Sequence, residues 1–243
     1  MSNDKELEKL RQASYYFAPA NAMIAGGAIT SVFTGQPIND VDMYFKSEKA
    51  FRDAVEGAYD DGLWCVAATD RAVTFAKDNI IIQMMHFEFF DNARAVFDAF
   101  DFTACMAAYD FDAQSFIFHD DFFKHASQRH LSFHSGTRYP FGTLMRVLKY
   151  QARGYAIGKG DLIRIALCCH KTELNSWDDL AKALGGQYGR RVELDAEGDF
   201  SIDAAVALIE AGDFTVPIDG PSMPGNAEAL LELVGYKTEA GTA

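Results

Sequence analysis

The sequence predicts an α+β fold, with a mixed or antiparallel sheet in the first part of the chain and a helical region after it, on three observations. Apolar segments of strand length all lie before residue 119. Segments with apolar residues at helical spacing dominate beyond it. Three of the strand candidates follow one another with no helix between them, which is the pattern of a meander rather than of a parallel sheet built from crossovers.

In chain order, residues 4–17 carry Leu7, Leu10, Ala13, Tyr16 and Phe17 at helical spacing until Pro19 stops the pattern, which predicts an amphipathic leading helix. Ala22 to Ala25 is a short apolar strand running into Gly26-Gly27. Residues 28–34 have room for one or two helical turns, and Val41 to Phe45 is an apolar strand after the polar turn Gln36 to Asn39. A helix over 47–60 precedes strands at 63–69, 72–76 and 79–87. A helix near 91–98 then leads to two more apolar stretches, Phe102 to Tyr109 and Ser115 to Phe118. Helical periodicity takes over at 119–128, 140–155, 161–173, 177–185, 201–211 and 226–235. The loop His134-Ser135-Gly136-Thr137-Arg138-Tyr139-Pro140 is the natural boundary, dividing an α+β unit of residues 1–135 from a helical unit of 136–243. The Gly- and Pro-rich stretch Asp213 to Gly225 reads as a loop before the last helix, and no internal repeat is visible.

A chain of 243 residues that is 49% hydrophobic can bury a full core. It has no run near the roughly 18 apolar residues of a membrane span, and its charged N-terminus lacks the apolar centre of a signal peptide. Cys65, Cys105, Cys168 and Cys169 include no C-x-x-C pair, and three of them sit in apolar runs, which fits a reducing compartment. The expectation is a soluble, unprocessed, cytoplasmic protein. A formal net charge of −13 argues against a broad electrostatic grip on nucleic acid, which needs clustered Lys and Arg, so any such contact has to be local.

The chemistry concentrates between Ile24 and Phe45. Asp40 and Asp42, one residue apart on a strand, point to the same face, while Val41, Met43 and Phe45 point to the other. Two like charges at an apolar strand edge are costly unless a cation bridges them. Just upstream, Gly26-Gly27 between a strand and a helix permits close backbone approach and leaves amides for a triphosphate.

This pairing of glycines with D-x-D a dozen residues on resembles the signature of the DNA polymerase beta-like nucleotidyltransferases. Ala99 to Tyr109, containing Asp101-Phe102-Thr103, is similar to the R-R-D-F-T-I-N-A segment of bacterial tRNA nucleotidyltransferases and poly(A) polymerases, with Ala99 and Phe100 in place of the two arginines. Pro140 to Tyr155 resembles the helix that follows the catalytic head in those enzymes. On that helix Arg146, Lys149 and Arg153 share a face at i, i+3 and i+7. The matches cover about residues 22–155 in the family's order, and the compact size resembles phage-encoded members.

The resemblance implies a nucleotidyltransferase head. It implies transfer of a nucleoside monophosphate from a nucleoside triphosphate to an acceptor hydroxyl at a two-metal site holding magnesium, with manganese as the alternative. Asp40, Asp42 and Asp101 are then the catalytic and metal-binding residues, with Asp101 serving a metal or the ribose. Gly26, Gly27, Ser31, Thr103, Arg146, Lys149 and Arg153 are the nucleotide-binding residues. An RNA 3′ end of tRNA type is the first acceptor. Nucleotidylation of a protein or small molecule, and a degenerate nucleotide-binding protein without turnover, stand as alternatives. A viral member would act in the host cytoplasm. Other signals are weaker. His119-Asp120-Asp121 lacks the remaining ligands of a phosphohydrolase metal site. His125, His130 and His134 lack zinc spacing, and Gly158-Lys159-Gly160 is not a P-loop.

Overall fold

The computed structural model describes residues 3–134, 137, 139–184, 199–211 and 223–236. Its elements run α1 Asp4–Ala13, β1 Ala22–Ala25, α2 Gly27–Thr34, β2 Val41–Phe45, α3 Glu48–Asp60, β3 Trp64–Ala68, β4 Ala72–Lys77 and β5 Ile80–Met85. They continue as α4 Ala93–Asp98, β6 Ala107–Asp110, β7 Ser115–Phe118, α5 Phe122–Ser127, β8 His130–Leu131, α6 Pro140–Ala152 and β9 Ala156–Ile157. The last are α7 Lys159–His170, α8 Trp177–Leu184, α9 Ile202–Ala211 and α10 Ala227–Leu233. The fold is the expected α+β class.

Seven strands form one sheet in the order β3-β4-β5-β2-β1-β6-β7. Only the β2–β5 contact is parallel, and the other five pairings are antiparallel. Strand alternation divides the side chains between two layers. Ile24, Val41, Met43 and Phe45 enter the larger core with Ile29 of α2 and Phe51 and Val55 of α3. Met23, Ala25 and Tyr44 enter a second core beneath α4 with Phe90, Val96 and Phe97. The even-numbered positions of β2 therefore face the α4 side, and that side carries the pocket described below.

Local chemistry explains the ends of several elements. Ser47 caps α3 by accepting from the Ala50 amide, and Asn92 caps α4 by accepting from Arg94 and Ala95. Gly35 stops α2 in a left-handed conformation at φ 69°. The leading helix stops at Ala13, short of the expected residue 17, because Tyr15 and Tyr16 both take positive φ. The expected strand from Phe102 to Tyr109 is shorter and begins only at Ala107. Thr103–Cys105 instead form a 3-10 turn, and Phe102 makes an isolated bridge to Phe133. A fully apolar run gives no period to tell strand from turn. The two-residue parallel pair β8–β9 is too short to leave any pattern in the sequence.

Beyond the sheet, α6 packs on α7 and α8. Gly142 makes the second contact possible, since a Cβ there would run into the Leu184 carbonyl. The last helix returns to the sheet-bearing part: Leu230 and Leu231 of α10 share the larger core with Phe51. Tyr236 packs on Phe51 and His86, and Tyr59 donates to the Pro224 carbonyl. The core of the N-terminal part thus includes residues from beyond the expected boundary at 135. Within that boundary loop, Ser135, Gly136 and Arg138 lie outside the described residues, as do Gly185 and residues 213–222 of the expected Gly- and Pro-rich loop.

Candidate active site

A cavity of about 520 Å³ opens between the α4 side of the sheet and α6. Its wall includes Gly26, Gly27, Ser31, Asp40, Asp42, Asp101, Arg146, Lys149 and Arg153, nine of the ten residues that the sequence marked. The volume suits a nucleotide-sized ligand.

Gly26 is the residue on which the turn depends. It leaves β1 at φ 88°, a conformation glycine adopts without penalty and an L side chain does not, while a Cβ there would make only ordinary contact with the Phe100 ring. Its amide is already used, donating to the Ala107 carbonyl at 3.0 Å. The donors left for a ligand are those of the first turn of α2, beginning at Gly27. A Cβ on Gly27 would meet no protein atom, so the space beside it is open.

Asp40 stands immediately before β2 rather than within it, and Asp42 is the strand's second residue. Both reach the cavity. The Gln83 amide, from the strand parallel to β2, donates to Asp40 Oδ2 at 3.4 Å. Asp42 carries the strained charge. Burial first, then the neighbouring Asp40 carboxylate, push its pKa up to about 7, while Lys149 opposes the rise. Two residues further along the strand, the buried Tyr44 phenol is raised well above its ordinary value by burial and by Asp42.

Asp101 lines the same cavity, with its carboxylate engaged by α6. Thr143 Oγ1 donates to Oδ1 at 3.0 Å, and Arg146 forms an ion pair with Oδ2. Among the described residues, no group of three His, Cys, Asp or Glu side chains converges as a metal site. Asp101 is therefore not gathered with Asp40 and Asp42 into a three-carboxylate cluster. The pair by itself fits magnesium, which is commonly held by one or two carboxylates together with substrate phosphates and water. Thr103 departs from the expectation: it is buried away from the cavity, with its hydroxyl bonded to His125 Nδ1. The 3-10 turn that replaces the expected strand directs it there.

On α6, Arg146 and Lys149 face the cavity, and Arg153, just past the helix end, lies over the Tyr150 ring at 5.9 Å. Sequence reasoning missed Gln83, Tyr44, Phe100, Tyr139 and Arg71, all on the cavity wall. Gln83 did leave a signal, as the lone polar residue in Ile80-Ile81-Ile82-Gln83-Met84-Met85. Arg71, in the turn between β3 and β4, left none.

The mixed sheet and the helices packed on it form a fold shared with nucleotidyltransferase enzymes. A CCA-adding enzyme solved with ATP superposes with a TM-score of 0.55 at 14% identity, over 75% of this chain and 47% of that one. The Thermotoga maritima CCA-adding enzyme complexed with tRNA gives 0.50 at 14%, over 77% and 48%. The family model described as Gabija anti-defense 2 family protein matches residues 4–129, and the chain belongs to that family. A relative from Bacillus phage SPbetaL7, "Gabija anti-defense 2", is 42% identical over 192 residues, covering 77% of this chain and 48% of the relative. The chain thus spans about half the length of the relatives and structures it matches. Among the described residues no helix is long and apolar enough to cross a membrane.

Proposed function

We propose that this protein transfers a nucleoside monophosphate from a nucleoside triphosphate to an acceptor hydroxyl. The observation that carries the reading is Asp42, half-buried on the cavity wall beside Asp40 with its pKa lifted to about 7 and with Lys149 opposing the rise. A site that holds two carboxylates in this way is completed by a cation and the anion that accompanies it. Asp40 and Asp42 would hold magnesium, or manganese in its place. The metal, when bound, neutralises phosphate charge and favours the ionised acceptor oxygen.

The chain's own groups do the positioning. Gly26 shapes the turn, and the first turn of α2, with Ser31, receives the triphosphate. Lys149 balances charge near Asp42. Thr143 and Asp101 set the guanidinium of Arg146 against the cavity. The acceptor hydroxyl gives up its proton to solvent, its oxygen forms a bond to the α-phosphorus, the bond from that phosphorus to the oxygen bridging to the β-phosphorus breaks, and pyrophosphate departs with the electron pair.

An RNA 3′ end of tRNA type is the first acceptor on this reading, supported by a shared fold with enzymes solved in complex with tRNA. A second acceptor class, a protein side chain, draws support from the family description and from a net charge of −13 on a chain in which only four of the 22 Lys and Arg line the cavity. The phage source of the relative fits action in a host cytoplasm. The test is incubation with each α-labelled triphosphate, magnesium, total RNA and host proteins, with Asp42→Asn as control. Label in RNA identifies the first acceptor and label in protein the second. Bound nucleotide with no transferred label in any fraction overturns the proposal in favour of a binding protein.

A further inference from the structure

Arg71 is held in an unusual way for a cation in this chain. Its guanidinium lies over the Tyr139 ring at 4.3 Å from the centroid and over the Phe87 ring at 5.2 Å. Tyr139 caps the start of α6, and Phe87 follows β5. The side chain therefore bridges the sheet edge and the helical part where the two form the cavity wall, and its charge reaches Tyr44 on the floor beside Asp42. Contacts with ring faces engage the flat sides of a guanidinium and leave its in-plane N–H groups free to donate.

Its neighbours are engaged differently. Arg146 is paired with Asp101, whereas among the described residues no carboxylate, carbonyl or hydroxyl receives a hydrogen bond from the Arg71 side chain. In a protein with 35 acidic side chains, a partly buried guanidinium lacking such a partner and fixed at a cavity edge is placed for an anion that arrives with a ligand. We propose that Arg71 is a phosphate-binding residue of this cavity, prepositioned by Tyr139 and Phe87. The phosphate belongs either to the nucleoside triphosphate or to the backbone of a nucleic-acid acceptor.

This inference rests on the nucleotide reading of the cavity, and its test separates the two. Arg71→Gln and Arg71→Lys should fold, because the turn is held by backbone groups: the His86 amide donates to the Arg71 carbonyl and the Arg71 amide donates to Thr69 Oγ1. Binding to the full chain is measured with ATP, CTP, GTP and UTP in magnesium, with the four unphosphorylated nucleosides, and with a labelled 12-residue single-stranded RNA across salt concentration.

If the triphosphate supplies the anion, Arg71→Gln weakens triphosphate binding by about 10- to 100-fold and leaves both nucleoside and RNA binding unchanged. If the acceptor backbone supplies it, triphosphate binding is unchanged, RNA binding falls, and the slope of log affinity against log salt drops by about 0.7. Arg71→Lys keeps the charge without the fork and falls between. Equal binding of both probes by Arg71→Gln and wild type overturns this inference while leaving transfer intact. Loss of affinity in a protein that transfers no label overturns the transfer reading and keeps this one. A wild-type chain that binds neither probe overturns the inference outright.

Discussion

Asp101, three residues beyond α4, and Arg146, in the middle of α6, form an ion pair that ties the sheet-bearing part of the chain to the helical part at the cavity wall. Thr143 completes the arrangement from one turn earlier on α6. A carboxylate engaged in this way orients a guanidinium.

That relationship predicts strong coupling between the two side chains. Asp101→Ala and Arg146→Ala should each impair triphosphate use, and the double variant should be impaired by clearly less than the sum. The expected coupling is about 1–3 kcal/mol in a double-mutant cycle on kcat/KM. Additive losses would mean that the two residues act separately and that Asp101 has its own role at the reacting centre.

Asp40→Asn and Asp42→Asn should each reduce transfer to background while preserving the fold. Normal turnover in either variant would remove the metal-site assignment.

Asp42 also gives a pH signature in the metal-free chain. Its folded pKa lies above the ordinary 3.8, so the folded state holds its proton more tightly than the unfolded one. The contribution to stability is complete below about pH 4 and is lost as pH rises through about 7. Asp42→Asn escapes that loss. Under chelating conditions its melting temperature relative to wild type should climb across this window, by no more than about 4 kcal/mol in free energy. A gap that stays constant with pH would contradict the raised pKa.

The two glycines should separate. Gly26→Ala must hold an L side chain at φ 88°, and is expected to cost about 1–3 kcal/mol in chemical denaturation together with triphosphate affinity. Gly27→Ala should leave stability unchanged, because its Cβ meets no protein atom. If it nonetheless weakens triphosphate binding, the open space beside Gly27 is where the ligand sits.

Gly142→Ala tests how the helical part is locked. A methyl group driven into the Leu184 carbonyl should destabilise the protein by about 1–3 kcal/mol and blunt activity through displacement of Arg146 and Lys149. Unchanged denaturation would show that α8 moves aside freely.

Much of this was legible because strand and helix periods differ. Val41-x-Met43-x-Phe45 announced both the strand and the shared direction of Asp40 and Asp42, and both acids reach the cavity. The spacing of Arg146, Lys149 and Arg153 announced a common face in the same manner. Thr103 could not be placed, because Phe102 to Tyr109 has no polar alternation to show where turn gives way to strand. Arg71 and Tyr139 meet across a sequence separation that no local pattern records. Gly27 looked as important as Gly26 in the sequence, and only backbone conformation distinguishes them.

The return of α10 to α3 has a consequence for biosynthesis. Tyr59 and Pro224 meet across 165 residues, and His86 and Tyr236 across 150. A ribosome delivers the whole sheet long before Leu230 and Leu231 exist to cover their share of its larger core. Closing so long a loop is slow, and the nascent chain must carry an open apolar face until it happens. The early part of this molecule therefore depends on α10, made long after it, for a finished interior. A stalled or truncated translation product would be a substrate for chaperones and proteases rather than a smaller working protein.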